Sequence, residues 1–252
     1  TLNFVAGDWL SSRAIIGVDK GGDQNSNLWP LETQLVPVYE ETAVGTLTLE
    51  KPTTTNVSMD LSSTMRFQIT DAIGTATSFG TQYYVKRISS FENIGQGFPS
   101  PLSTTINQTP PALVEINFRY IENKSLGVFV QEELSFNDRL FLTAAVRADD
   151  NSAFGSDFDL EYYPKLSGTW VVSEENFCNI GMVNSMRLRG AWGKAGRQPD
   201  TFAGTNQYGV VAGPGGTAIL DPESPGNPEV GPEVSTEIEL GVDVALFDDR
   251  LS

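Results

Sequence analysis

The sequence predicts an all-β chain folded as an antiparallel transmembrane β-barrel, here a partial barrel of roughly eight strands with long extracellular loops. Three observations predict it. Oily side chains occupy every second position, the period that a strand requires. The alternating runs are longer than the five or six residues of a usual soluble strand. Short reversals also alternate with long ones, as in barrels with tight turns at one membrane face and long loops at the other.

Composition sets the limits. The chain has 252 residues, 39% of them hydrophobic, with 24 glycines and a formal charge of -16, and helical periodicity is almost absent. No stretch nears eighteen consecutive apolar residues, which excludes a transmembrane helix and leaves a barrel open, since only alternate residues of a barrel strand meet lipid. The acidic balance disfavours nucleic acid, whose partners carry basic footprints. A single cysteine, Cys178, excludes an internal disulfide scaffold and reads as a buried or turn thiol. The absence of histidine removes the commonest general base and metal ligand.

The first strand is expected over Leu2 to Val18 with an interruption near Asp8, and Gly21 to about Pro37 reads as a polar loop. Thr42 to Glu50 alternates weakly, as a strand or an extended loop hairpin. Ser58 to Thr70 is a clear strand with Met59, Leu61, Met65, Phe67 and Ile69 on one face. It turns at Asp71-Ala72 and returns from Gly74 to Arg87. Ile88 to Glu122 is loop-like, apart from the alternating run Val114, Ile116, Phe118, Tyr120.

Leu126 to Asp149 forms a hairpin. Leu126, Val128, Val130, Leu134 and Phe136 share one side, and Leu140, Leu142, Ala144, Val146 and Ala148 share one side of the returning arm. Asn137 and Asp138 lie between, polar turn formers that tolerate the left-handed backbone a tight reversal often needs. Each arm is expected to be about ten residues long. Asp150 to Asp159 follows as a short acidic loop, then strands at Glu161 to Val172 and around Met186 to Trp192, separated by a turn region at Ser173 to Asn184. Lys194 to Glu233 is a long glycine- and proline-rich loop.

The clearest strand is the last. From Val234 to Leu246, Val234, Thr236, Ile238, Leu240, Val242, Val244 and Leu246 alternate with Ser235, Glu237, Glu239, Gly241, Asp243 and Ala245. Thirteen residues span about 43 Å, and a tilt of about 45° brings the vertical reach to about 30 Å, the thickness of a bilayer core. Asp248-Asp249-Arg250-Leu251 repeats the turn of Asn137-Asp138-Arg139-Leu140. Tyr83, Tyr84, Tyr162, Tyr163, Phe136 and Phe247, at strand ends, suit interfacial aromatic girdles.

Several stretches together resemble the barrel of SusC-like TonB-dependent outer-membrane transporters. They are Arg147-Ala148-Asp149-Asp150-Asn151-Ser152-Ala153-Phe154-Gly155, Tyr163-Pro164-Lys165-Leu166-Ser167-Gly168-Thr169-Trp170 and Glu174-Glu175-Asn176-Phe177. Leu188-Arg189-Gly190-Ala191-Trp192-Gly193, Gly196-Arg197-Gln198-Pro199, Asn227-Pro228-Glu229 with Glu233, and Thr236 to Asp243 continue the series in order and spacing. In that family an aromatic tends to precede the glutamate matched by Glu233, whereas Pro232 stands there in this sequence.

The resemblance implies import of a bulky nutrient, an oligosaccharide or a peptide, through a 22-stranded barrel closed by an N-terminal plug. It implies residence in the outer membrane of a Gram-negative-type bacterium, contact with membrane lipid, a SusD-like surface lipoprotein as lid, and TonB as energy source. No segment of residues 1–252 resembles a plug or a TonB box, so the chain is expected to be one partial barrel domain, an internal or C-terminal-half fragment.

Candidate chemistry is sparse, and neither a cofactor nor catalysis is expected. Asp149, Asp150, Asp157 and Asp159 offer hard oxygen ligands for Ca²⁺, but without EF-hand spacing they read as a solvated acidic loop. Glu132-Glu133 and Glu174-Glu175 are neighbours that point to opposite faces of a strand, so neither pair flanks one substrate. Gly213 to Gly216 follows no strand into a helix and is no phosphate loop. Glu237, Glu239 and Asp243 share a face that lines the lumen of a barrel, where Arg187 and Arg189 help offset their charge. Trp29, Asn206 and Tyr208, in loops, are side chains of the kind that contact sugars. Two rival folds remain. One is a soluble or surface-exposed β-sandwich binding module, in which a second protein layer covers the apolar face, and the other is a small structural outer-membrane barrel of eight strands, whose first and last strands pair.

Overall fold

The computed structural model describes residues 1–32, 43–156, 160–178 and 182–247. Alternating, β-branched and aromatic residues become strands throughout: β1 (Leu2–Ala6), β2 (Leu10–Gly22), β3 (Asn25–Trp29), β4 (Thr46–Thr70), β5 (Ile73–Gln96), β6 (Val114–Phe136), β7 (Leu140–Asn151), β8 (Glu161–Val171), β9 (Val183–Arg197), β10 (Gln207–Ala212), β11 (Ala218–Ser224) and β12 (Glu233–Leu246). The main sheet is an open path, β1-β2-β4-β5-β6-β7-β8-β9-β12, with β3 also pairing β4 and β10-β11 forming a separate hairpin. Among the described residues β1 and β12 do not pair, so the closed eight-stranded barrel is not what forms.

Register shows which residues share a face. Leu134 pairs with Leu142, Leu142 with Gly168, Gly168 with Gly190 and Gly190 with Leu240. The even-numbered residues of β6, β7, β8, β9 and β12 therefore make one continuous apolar face. Ile238, Leu240 and Val242 are 73%, 87% and 60% exposed on it, and among the described residues no second layer covers them. This excludes the sandwich, because a sandwich buries such side chains between its sheets.

Contacts divide the chain into two compact units. One holds Thr1–Ile16, Ser58–Tyr84 and Lys124–Ser252, the other Gly17–Val57 and Val85–Asn123. In the second unit Leu47, Val85 and Phe98 are buried, as are Thr46, Ser90 and Thr109, and Phe98 packs against Gly45. Gly95 is also closely packed: a side chain on it would begin 3.0 Å from the Thr109 hydroxyl and 3.3 Å from Ile106.

Several sequence expectations need correction. β4, β5 and β6 run for 25, 24 and 23 residues, far beyond the expected arms: Thr42 to Glu50 resolves as strand from Thr46, the alternating run from Val114 is strand, and 51–57, 88–96 and 121–125 are strand as well. Alternation weakens there because neither face must be oily, yet the ladders continue in register: Gly97 N donates to Gly45 O at 3.1 Å and Asp23 N to Pro52 O at 3.0 Å. The expected polar loop from Gly21 contains β3, held by Asn25 opposite Glu50 through Trp29 opposite Thr46; its far end at Pro37 lies outside the described residues. The glycine-rich stretch 194–233 contains the β10–β11 hairpin. Tyr84 and Tyr163 adjoin Tyr83 and Tyr162 and so point to the opposite, polar face, which removes them from an interfacial girdle.

The tight hairpin forms with Asn137 and Asp138 at φ 50° and 54°. Phe136 pairs with Leu140 and Arg139 N donates to Phe136 O at 2.9 Å. The matching turn at Asp248-Asp249 lies outside the described residues.

Candidate functional site

The apolar face of the first unit carries a groove of about 670 Å³ where Ala144, Gly168 and Gly190 leave space between Leu134, Leu166 and Leu240. It presents no chemistry except Glu132 at its edge. Thr77 Oγ1 donates to that carboxylate at 2.6 Å and Thr75 Oγ1 donates to its other oxygen. The sequence reading separated Glu132 from Glu133 by face but missed that Glu132 falls on the apolar one. Its parity with Val130 and Leu134 was the available signal.

The polar face bears the charges. Arg187 lies opposite Asp243 in register, and Arg189 opposite Gly241. Arg189 Nη2 pairs with Asp243 Oδ1 at 2.9 Å, reaching diagonally across Gly241, where the guanidinium lies 3.5 Å from the position of a β-carbon. Both side chains are at least half exposed, so the pair is worth about 0.2–1 kcal/mol. Glu237 and Glu239 stand opposite Gly193 and Ala191. Lys165 is across Gly193 from Glu237, and all three line a pocket of about 280 Å³ with Glu239. Lys165 escaped the sequence reading, although it shares parity with Tyr163.

A second polar pocket, of about 360 Å³, lies where β7, β8 and β9 meet their connecting loops. Arg147 Nε donates to Asp149 Oδ1 at 2.6 Å and Oδ2 at 2.9 Å. Its Nη1 donates to Gln82 Oε1. The guanidinium lies over Gly127, where any side chain would collide with it, so the glycine lets β7 reach across β6 to β5. Asn151 Nδ2 donates to Gln198 Oε1, and Ala153 N donates to Asn151 Oδ1 at 2.8 Å. Gly155 N donates to Val230 O at 2.9 Å, so close to Pro228 that a β-carbon on Gly155 would overlap its carbonyl. Three stretches far apart in sequence, 147–155, 196–199 and 227–232, thus come together around one cavity.

Of the acidic residues of this region, Asp149 is engaged by Arg147, Asp150 lines the same pocket, and Asp157 and Asp159 lie outside the described residues. Among the described residues no group of three or more His, Cys, Asp or Glu side chains is placed to hold a metal ion.

The three residues expected to contact sugar fall in different units. Trp29 belongs to the second and is 39% exposed. Its strand also carries Asn25, whose Nδ2 donates to Glu50 Oε2 at 3.4 Å, and Asn27. Ser90 Oγ donates to Glu50 Oε1 at 3.1 Å. Asn206 and Tyr208 belong to the first unit, at the start of the β10–β11 hairpin. Asn206 Oδ1 accepts from Gly226 N at 2.8 Å and so braces its own loop, while Tyr208 is 54% exposed.

Residues 8–252 match the family described as TonB dependent receptor-like, beta-barrel. TonB-dependent receptor P26 of Formosa agariphila is 26% identical over 132 residues, covering 46% of this chain and 12% of the relative. TonB-dependent receptor P39 of the same organism is 28% identical over 125 residues, with the same coverage. The chain therefore spans about an eighth of the length of these curated relatives. Among solved structures, that of the RagAB peptide transporter aligns with a TM-score of 0.85 at 18% identity, over 98% of this chain and 28% of that one. The RagAB peptide importer in its closed-closed state aligns at 0.83 and 19%, over 98% and 27%. At such identities the likeness is one of fold.

Proposed function

Since the chain belongs to the TonB-dependent receptor-like β-barrel family, we propose that it forms part of the wall of an outer-membrane importer for a bulky nutrient, an oligosaccharide or a peptide. The observation that carries this reading is the division of one sheet into an uncovered apolar face and a charged face. A long strand that leaves Ile238, Leu240 and Val242 uncovered on one face is stable where the solvent on that side is lipid, and a face of Arg, Lys, Glu and Asp suits a watery passage.

On this reading the apolar side chains at even positions of β6, β7, β8, β9 and β12 contact lipid. Arg187, Arg189, Glu237, Glu239 and Asp243 line the lumen, and Trp29, Asn206 and Tyr208 contribute to cargo contact. The chain forms a partial barrel domain, and the complete wall satisfies the open edges of β1 and β12, since an unpaired edge is not tolerated in hydrocarbon. A SusD-like lipoprotein lids the importer and TonB energises it, and the protein works by recognition and passage, without making or breaking bonds.

Deletion of the gene in its own host tests this. Uptake of one class of oligosaccharide or peptide should fall to background and return on complementation, and the protein should fractionate with the outer membrane and migrate anomalously on gels when unheated. Recovery of the protein in the soluble fraction, without detergent, overturns the reading.

A further inference from the structure

Resting on the importer reading, we infer that the pocket between β7, β8, β9 and the loop before β12 is a subsite for a single carboxylate of the cargo. Its lining includes Arg147, Asp149, Tyr163 and Arg197. Arg147 is already neutralised by Asp149, through two bonds from one nitrogen. Arg197 differs. Glu233 stands opposite it in register, yet Arg197 forms no ion pair among the described residues. The Tyr163 hydroxyl lies over Gly196, where a β-carbon would fall 2.0 Å from it, and has no hydrogen-bond partner among the described residues.

The cavity thus offers a guanidinium and a phenol as unused donors, while the acceptors Asp149 and Asn151 are occupied by neighbours. Unused donors, one of them a guanidinium without an ion-pair partner, recognise an anion through charge-assisted bonds. Asp150, also in the lining, favours a monoanion over a phosphate dianion, because each further negative charge on the ligand meets its repulsion. A carboxylate matches the planar fork of arginine. It has two natural sources, the C-terminus of a peptide and a uronic acid of an oligosaccharide.

The test uses the full-length receptor in detergent and isothermal titration with two matched pairs: N-acetyl-trialanine against its C-terminal amide, and trigalacturonate against galactotriose. At least one acid should bind about ten-fold more tightly than its neutral partner, and the pair that shows the preference names the source. Arg197→Gln should abolish the preference, Arg197→Lys should retain part of it, and Tyr163→Phe should reduce it by a smaller factor. If Arg197→Gln fails to assemble, Tyr163→Phe and Arg197→Lys carry the test. The inference is overturned if neither acid is preferred by the unmodified receptor, or if the preference survives in the variants. Such a failure leaves the uptake defect of the deletion strain untouched, so it is distinguishable from failure of the importer reading.

Discussion

The two units bury their oily side chains by different means. In the second, Leu47, Val85 and Phe98 are buried, as are Ser90, Thr46 and Thr109, although Phe91, Ile116 and Phe118 stay exposed. In the first, the buried side chains are Ala153, Val172 and Asn151, which sit at strand ends and loops, while the wall leaves Val128, Val130, Leu166, Ile238 and Leu240 exposed. One unit covers part of its apolar surface with protein. The other takes its hydrophobic environment from outside, so its sheet needs only one layer. Binary patterning along a single strand can therefore serve two solvents, depending on whether the next layer is protein or lipid.

Substitutions can break or sharpen that contrast. Phe98→Ala should have the largest effect, about 3–5 kcal/mol as expected for a fully buried aromatic. Hydrogen exchange should register it as loss of protection confined to 43–57 and 85–113. Uniform loss across the chain would mean that the second unit has no core of its own. Leu240→Arg, on the uncovered face, should destabilise the membrane-inserted protein by about 2–4 kcal/mol in urea titrations, whereas Glu239→Arg, one residue away on the polar face, should not. Equal tolerance of both would erase the distinction between the faces.

Gly127→Val should cost about 1–3 kcal/mol by forcing the Arg147 guanidinium off its seat. A crystal structure of the variant should show the bond from Arg147 to Gln82 broken, and an unmoved guanidinium would contradict the role given to the glycine. Smallest is Arg189→Gln, expected to change stability by less than about 1 kcal/mol in the same titrations, because its pair with Asp243 is exposed and screened. A larger loss would place the polar face in a drier environment than an aqueous passage provides.

Particular residues show how far the chain could be read without coordinates. The alternation from Val234 to Leu246 and the turn at Asn137-Asp138 are local properties, and both stand in the structure as read. The chemistry of the pocket around Arg197 was harder to see. Its parts are separated by tens of residues, and what unites them is register, which places Asn151 by Gln198 and Gly155 by Val230. Glu132 was legible by parity, but its hydroxyl partners on β5 were not, because no sequence pattern specifies which threonines lie beside it.

By itself the sequence determined that the chain is all β, that its faces divide into oil and charge, and where the tightest reversals fall, because backbone period and turn conformation depend on neighbouring residues alone. Only the tertiary structure decided how far β4, β5 and β6 extend, that β1 and β12 do not pair among the described residues, and which distant loops share a cavity. Those outcomes depend on hydrogen bonds between strands remote in sequence, whose register is set by the sheet as a whole.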